Sequence, residues 1–349
     1  MEAAERALTR AIDTLSRQSM GPSLFVGFTG VAWVNQLLTG DPSARRQDDA
    51  NAPIDEALEI YLDRSPWTDP YDLVEGLVGI GVYGLERMPR PSAKRLLALV
   101  VRRLGETARR RAPGLAWWSD PEWVPRKLRK KSPADYDLGV AHGVPGVIAV
   151  LGKIAASDLD ARTRTRARAL LDGAVEWLLL RELPRSSPSC FAMSAGETTP
   201  ARSAWCYGDP GIAATLLVAA RAVGERAWER NAVRIAMRAA ARAESDSGVR
   251  DAGLCHGSAG LAHIYHRLYR WTDEERFARA SRAWFARTLA ERRSRGGFAG
   301  FAARAPDRSG KVTWQADPGF VTGAVGVTLA LVAATTGMDP VWDRALLLS

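Results

Sequence analysis

The sequence predicts an all-α chain, an α/α toroid of helical hairpins, and three observations predict it. A Gly-x-x-Gly step recurs six times, beginning at Gly27, Gly76, Gly143, Gly208, Gly257 and Gly323, at intervals of 49 to 67 residues. Each interval holds two helices and their connections, and self-similarity on that scale marks an array of similar supersecondary units. Each step opens a short apolar run, such as Val147 to Leu151 or Ile212 to Ala220, as expected of a helix faced by other helices on most sides. Arg-rich amphipathic stretches alternate with these runs. A ring of hairpins with apolar inner and charged outer helices satisfies both patterns.

Along the chain, Glu2 to Arg17 reads as a charged amphipathic helix, with no apolar core or cleavage site of a secretory signal. The amphipathic stretches Ala93 to Arg111, Ala161 to Leu180, Arg226 to Arg242 and Asp273 to Arg292 each carry helical periodicity. Glycines at the helix starts are expected to permit positive φ and close approach, so that neighbouring starts crowd together. Gly319 to Met338 is free of charge over nearly the length a bilayer requires. It is rich in Gly and Thr, follows Pro318 and contains the sixth step, so a helix buried on all sides of a large core is expected, with no stable membrane insertion. Period-two alternation with Asn-Gly or Asp-Gly turns is lacking, and strands are not expected.

With 349 residues, 46% hydrophobic and 25% charged, and no long polar linker, the chain is expected to form a single domain, 1–349. Three cysteines do not make a disulfide framework and suit a reducing compartment, the cytoplasm. The net charge is +9, and the stretch from Trp117-Trp118 to Lys131 sets three tryptophans beside Arg126, Lys127, Arg129, Lys130 and Lys131. Such a stretch can stack on nucleic acid. Because arginine also covers the amphipathic stretches, no nucleic-acid partner is expected, and an acidic peptide fits the basic loop equally well.

Polar residues gather unevenly at the steps. Cys206 and Tyr207 precede the fourth, Cys255 and His256 the fifth, His142 the third and Glu75 the second, with Asp72 a turn earlier. A cysteine in an apolar context is more often an inert small hydrophobe than a ligand. Two at the same repeat position, one followed by a histidine, instead suggest two thiolates and an imidazole on Zn²⁺. Three protein ligands leave one position open, the pattern of a catalytic metal. His263 and His266 lie too far along their helix from His256 to share that ion, and Cys190 sits in a loop rich in Ser and Pro with nothing to activate it.

These residues carry a resemblance. Trp205-Cys206-Tyr207-Gly208-Asp209-Pro210-Gly211, Leu254-Cys255-His256-Gly257, Ala141-His142-Gly143, Tyr71-Asp72-Leu73-Val74-Glu75-Gly76 and the ending Trp342 to Ser349 together resemble the lanthionine synthetase C cyclases, from about Ser23 onward. The resemblance implies an α/α toroid with seven inner helices that uses zinc to add cysteine thiols of a dehydrated precursor peptide to dehydroalanine or dehydrobutyrine. The products are lanthionine and methyllanthionine rings. It makes Cys206, Cys255 and His256 the zinc ligands, His142 the acid/base, Asp72 its orienting partner, Arg202 the oxyanion stabiliser and Tyr207 a hydrogen-bond donor. It also implies an upstream lanthipeptide dehydratase as a partner. Addition of a small thiol such as glutathione, and non-catalytic peptide binding, are alternatives. Because Ser23 to Gly30 resembles the family's second repeat, a first hairpin is expected to be missing. Closure with six hairpins, a start upstream of Met1 and truncation are the readings of that departure.

Overall fold

Backbone carbonyls, not side-chain caps, start the helices that follow the glycine steps. The computed structural model describes residues 2–39, 49–123, 136–293, 296–307 and 309–349. Gly76, Gly143, Gly257 and Gly323 are extended N-caps without a side-chain cap bond. The first helical N–H would otherwise lack a partner. It donates instead to a carbonyl seven residues earlier: Phe28 to Gly21 at 3.0 Å, Leu77 to Pro70 at 3.3 Å, Val144 to Asp137 at 3.1 Å, Ser258 to Asp251 at 2.8 Å and Ala324 to Asp317 at 2.9 Å. The preceding loop folds back onto the glycine so tightly that a Cβ at Gly76 would lie 2.2 Å from the Pro70 carbonyl oxygen. The close approach at the first glycine of a step is to the helix's own leading loop, while the second also meets a neighbouring start: a Cβ at Gly79 would lie 2.9 Å from Leu24 Cβ, and one at Gly326 2.8 Å from the Leu254 side chain.

Contacts divide the chain into two compact units. The first comprises Met1–Asp137, Ala141–Leu180 and Arg221–Gly224. It contains α1 (Glu2–Leu15), α2 (Phe28–Thr39), α3 (Ala52–Leu62), α4 (Leu77–Glu86), α5 (Pro91–Thr107), α6 (Val144–Ala156) and α7 (Ala161–Leu179). The apolar helices pack in series, α2 on α4 and α4 on α6, while the amphipathic ones do the same, α3 on α5 and α5 on α7. Sequence explains the sorting. In α4, Leu77 through Gly84 are all buried, whereas α5 buries the stripe Ala93, Leu96, Leu97, Val100, Val101 and Leu104 and leaves Arg95 exposed. Each large apolar side chain so buried contributes at most about 1.5–3 kcal/mol. Beyond α5 the chain forms a short antiparallel ribbon, β1 (Arg109–Arg110) with β2 (Leu115–Ala116).

The second unit comprises Leu138–Val140, Arg181–Ala220 and Glu225–Ser349. It holds most of α8 (Asp209–Val223), then α9 (Arg226–Ala241), α10 (Ser258–Thr272), α11 (Glu275–Ala290), the ribbon β3 (Ala303–Pro306) with β4 (Val312–Gln315), and α12 (Ala324–Thr335). α10 packs on both α11 and α12, and α9 packs on α11. The charge-free segment differs from expectation: α12 buries Ala324, Gly326, Val327, Ala330 and Ala333 but exposes Val325 and Val332. Small residues dominate the covered face, with Val327 among them, while Val325 and Val332 remain outside. No helix among the described residues is long and apolar enough to cross a membrane.

Candidate metal centre

The loops leading into α8 and α10 are joined by their backbones, and that join brings the two cysteines together. The Cys255 carbonyl accepts hydrogen bonds from Trp205 N at 3.1 Å and Cys206 N at 3.2 Å, while Cys255 N donates to the Val321 carbonyl at 2.8 Å. Both cysteines stand two residues before a glycine step, so equivalent positions of successive repeats become neighbours. Ligand atoms of Cys206, Cys255 and His256 all lie within 4.8 Å of one another. Cys206 is buried, Cys255 half-buried, and the His256 side chain keeps 26% of its surface exposed. The group is therefore enclosed but reachable.

Neighbouring groups fix this geometry. The Trp205 indole N–H donates to the Leu346 carbonyl at 2.9 Å. Asp209, the first residue of α8, accepts from Cys190 N at 2.6 Å, Phe191 N at 3.0 Å and Ser189 Oγ at 2.9 Å, and its burial raises its pKa despite them. Gly208 between them has φ +145°, and a Cβ there would meet the Arg202 carbonyl oxygen at 2.1 Å. Gly139 closes the other side: a Cβ would lie 2.3 Å from the Cys206 carbonyl oxygen and 2.6 Å from the Tyr207 ring.

The two thiols shift in opposite directions. The Cys255 S–H donated to Cys206 holds the Cys206 thiolate well below the usual thiol range, against its burial and with help from His256 and the Arg202 charge. Cys255 is pushed up by the same neighbour and by burial. A partly enclosed thiolate, thiol and imidazole facing one point form a donor set for a soft or borderline cation, which would take the place of the Cys255 proton. Cys190 is the contrast: burial, then the Asp209 charge, push its thiol up to about 12, so it remains an inert core residue.

In the first unit the same kind of backbone join pairs Asp72 with His142. Leu73 N donates to the Ala141 carbonyl at 3.2 Å, and His142 Nδ1 lies 2.6 Å from Asp72 Oδ2. Asp72 Oδ1 also accepts from Glu75 N at 2.7 Å, which fixes the carboxylate plane. Burial disfavours the imidazolium, but the Asp72 hydrogen bond and the charges of Asp72, Asp137 and Glu75 outweigh it, and the His142 pKa is raised. Thus Cys206, Cys255 and His256 are assembled in the second unit, whose Arg202 acts on both thiols, and Asp72 with His142 in the first.

A family model described as lanthionine synthetase C-like protein matches residues 1–347. The chain belongs to that family. Among solved structures it is similar to nisin cyclase, at 21% identity and TM-score 0.75 over 99% of this chain and 84% of that one. This likeness carries the fold class, an α/α toroid. A sugar epimerase from a ruminal bacterium is similar at TM-score 0.53 and 11% identity, over 89% of this chain and 87% of its own. Glutathione S-transferase LANCL1 of Danio rerio is 27% identical over 157 residues, which span 42% of this chain and 36% of that protein's length.

Several residues that matter here gave weaker sequence signals. Gly139 lies outside every glycine step, and Asp251 draws notice only through its register: it stands six residues before its step, as Arg202 does before the preceding one. His263, read as packing, is fully buried with Nε2 2.9 Å from Asp343 Oδ2. Trp117 is core, donating its indole N–H to the Leu104 carbonyl, and Trp118 lies beneath the Arg109 guanidinium. Of the basic stretch, Arg126, Lys127, Arg129, Lys130 and Lys131 lie outside the described residues.

Proposed function

We propose that the chain is a zinc-dependent lanthipeptide cyclase that adds cysteine thiols of a dehydrated precursor peptide to dehydroalanine or dehydrobutyrine. The Cys206, Cys255 and His256 donor cluster carries this reading, in a chain of the lanthionine synthetase C-like family. These three residues would hold the ion. Bound zinc supplies stabilisation of a thiolate at neutral pH and an open position for the substrate sulfur.

The chain's own residues handle the charge and the proton. As the sulfur bonds to the β-carbon, the carbon–carbon π bond breaks and negative charge moves to the carbonyl oxygen as an enolate. The Arg202 guanidinium and the Tyr207 phenol are assigned to that oxygen, because fixed donors aimed at developing charge lower the barrier. His142 gives the α-carbon its proton. Asp72 on Nδ1 leaves Nε2 as the position that gives and takes it.

Residues 1–349 are read as one such domain, working in the cytoplasm on a precursor peptide, with an acidic leader suited to the net charge of +9 and a dehydratase acting upstream. Purified protein is expected to bind one zinc ion and to remove free thiol from a dehydrated cysteine-containing peptide without changing its mass. Cys206→Ala and Cys255→Ala should lose both properties. Stoichiometric zinc with the peptide thiol left free would sink the cyclase reading and leave a peptide-binding scaffold. The printed name of the Danio rerio relative favours one second reading, addition of glutathione to dehydrated residues. A product heavier by one glutathione, formed when both thiols compete, would select it.

A further inference from the structure

We infer that Asp251 is a positioning residue for His256, accepting the Nε2–H of the imidazole and so reserving Nδ1 for the metal. The inference rests on the metal-centre reading above. Asp251 Oδ2 stands 3.8 Å from His256 Nε2, and the Asp251 side chain is only 5% exposed. A carboxylate at that depth, facing an imidazole nitrogen, stabilises the N–H tautomer at that nitrogen. A ring with Nε2–H presents its lone pair at Nδ1, and a carboxylate on the far nitrogen both fixes ring orientation and makes the ligating nitrogen more basic. The 3.8 Å separation is ion-pair reach, longer than a hydrogen bond. Engagement of Nδ1 by a cation would make the opposite N–H a stronger donor toward Asp251.

The two oxygens of Asp251 have separable duties. Oδ1 accepts from Gly253 N at 3.1 Å, and the Asp251 carbonyl accepts from Ser258 N at 2.8 Å, so the residue also shapes the loop that carries Cys255 and His256. Asp251→Asn preserves an oxygen for Gly253 and replaces the other with an amide that donates. Such a neighbour favours a lone pair at Nε2 and a proton on Nδ1, the tautomer that cannot ligate through Nδ1. The position is equivalent in the repeat to Arg202, since each stands six residues before a glycine step.

The test uses the full chain and zinc alone, titrated against a chromophoric chelator. Wild type is expected to bind one equivalent, and Asp251→Asn to bind about 10–100-fold more weakly, with the melting temperature of the metal-free protein unchanged. Nitrogen NMR of the zinc-loaded wild type should find the His256 proton on Nε2. An Asp251→Asn affinity equal to wild type, or a proton on Nδ1 with Nε2 as the ligand, overturns the inference. If Asp251→Asn fails to fold, the NMR measurement on wild type decides alone. Absence of zinc binding in wild type would instead remove the metal-centre reading itself, a distinguishable result.

Discussion

Asp72 sets the pH range in which His142 carries a proton. Burial acts against the imidazolium, and the Asp72 hydrogen bond and charge, with Asp137 and Glu75, reverse the balance. In its proposed role as the acid, His142 is active below its folded-state pKa, so turnover should fall as pH rises through the raised value. Asp72→Asn removes the largest upward contribution, and the alkaline limb of the pH–rate profile should move to lower pH. An unmoved limb would assign the titration to another group. Stability follows the same sign: the share that charged His142 contributes is fully present below its unfolded pKa of about 6.5 and is lost as pH rises through the folded value. The melting-temperature gap between wild type and His142→Gln should accordingly narrow from acid to alkaline pH.

At the scale of the element, the start of α8 carries two constraints at once. At Gly208 a side chain meets both a positive φ and a carbonyl oxygen 2.1 Å away, whereas Gly224 beyond α8 has φ +75° with nothing within 4 Å. Gly224→Ala should cost only about 1 kcal/mol of backbone strain. Gly208→Ala must also displace the Arg202 backbone, and should lower stability by more and weaken zinc binding, as read by denaturant unfolding and metal titration. Gly139→Ala presses on the Cys206 carbonyl from the other side and should likewise weaken metal binding at the proposed site. Equal unfolding midpoints for Gly208→Ala and Gly224→Ala would contradict the role given to the loop.

At the scale of the molecule, each unit is tied by its own buried ion network. In the first, the Arg87 guanidinium is wholly buried and donates to Asp55 at 2.7 Å, to Gln36 at 2.5 Å and to Asp49, joining α2, α3 and α4. In the second, Asp343 receives His263 at 2.9 Å, Arg267 at 3.2 Å and Ser349 Oγ at 2.5 Å, fastening the last turn of the chain to α10. Removing one partner of such a network leaves a buried charge, which costs about 3–5 kcal/mol. Arg87→Met should therefore lower unfolding free energy on that scale in urea titrations. A change below about 1 kcal/mol, the size typical of a surface pair, would show that water reaches the site.

The sequence by itself determined the repeat, the alternation of apolar and amphipathic helices and the identity of the Cys206, Cys255 and His256 cluster, because periodicity and residue chemistry are local properties. Gly-x-x-Gly marked the helix starts through α2, α4, α6, α8, α10 and α12. The exposed side of α12 was not legible, since Val325 and Ala330 are alike apolar and only the neighbours decide which is covered. Nor were Gly139 and Asp251, whose importance lies in atoms that reach them from distant segments or across a turn. Tertiary structure supplied the 2.6 Å between Asp72 and His142, a pairing the resemblance implied without a distance, and it alone decided that His263 grips Asp343. Those are matters of ångströms between residues far apart in the chain, and sequence spacing carries no such distance until the backbone joins between loops are made.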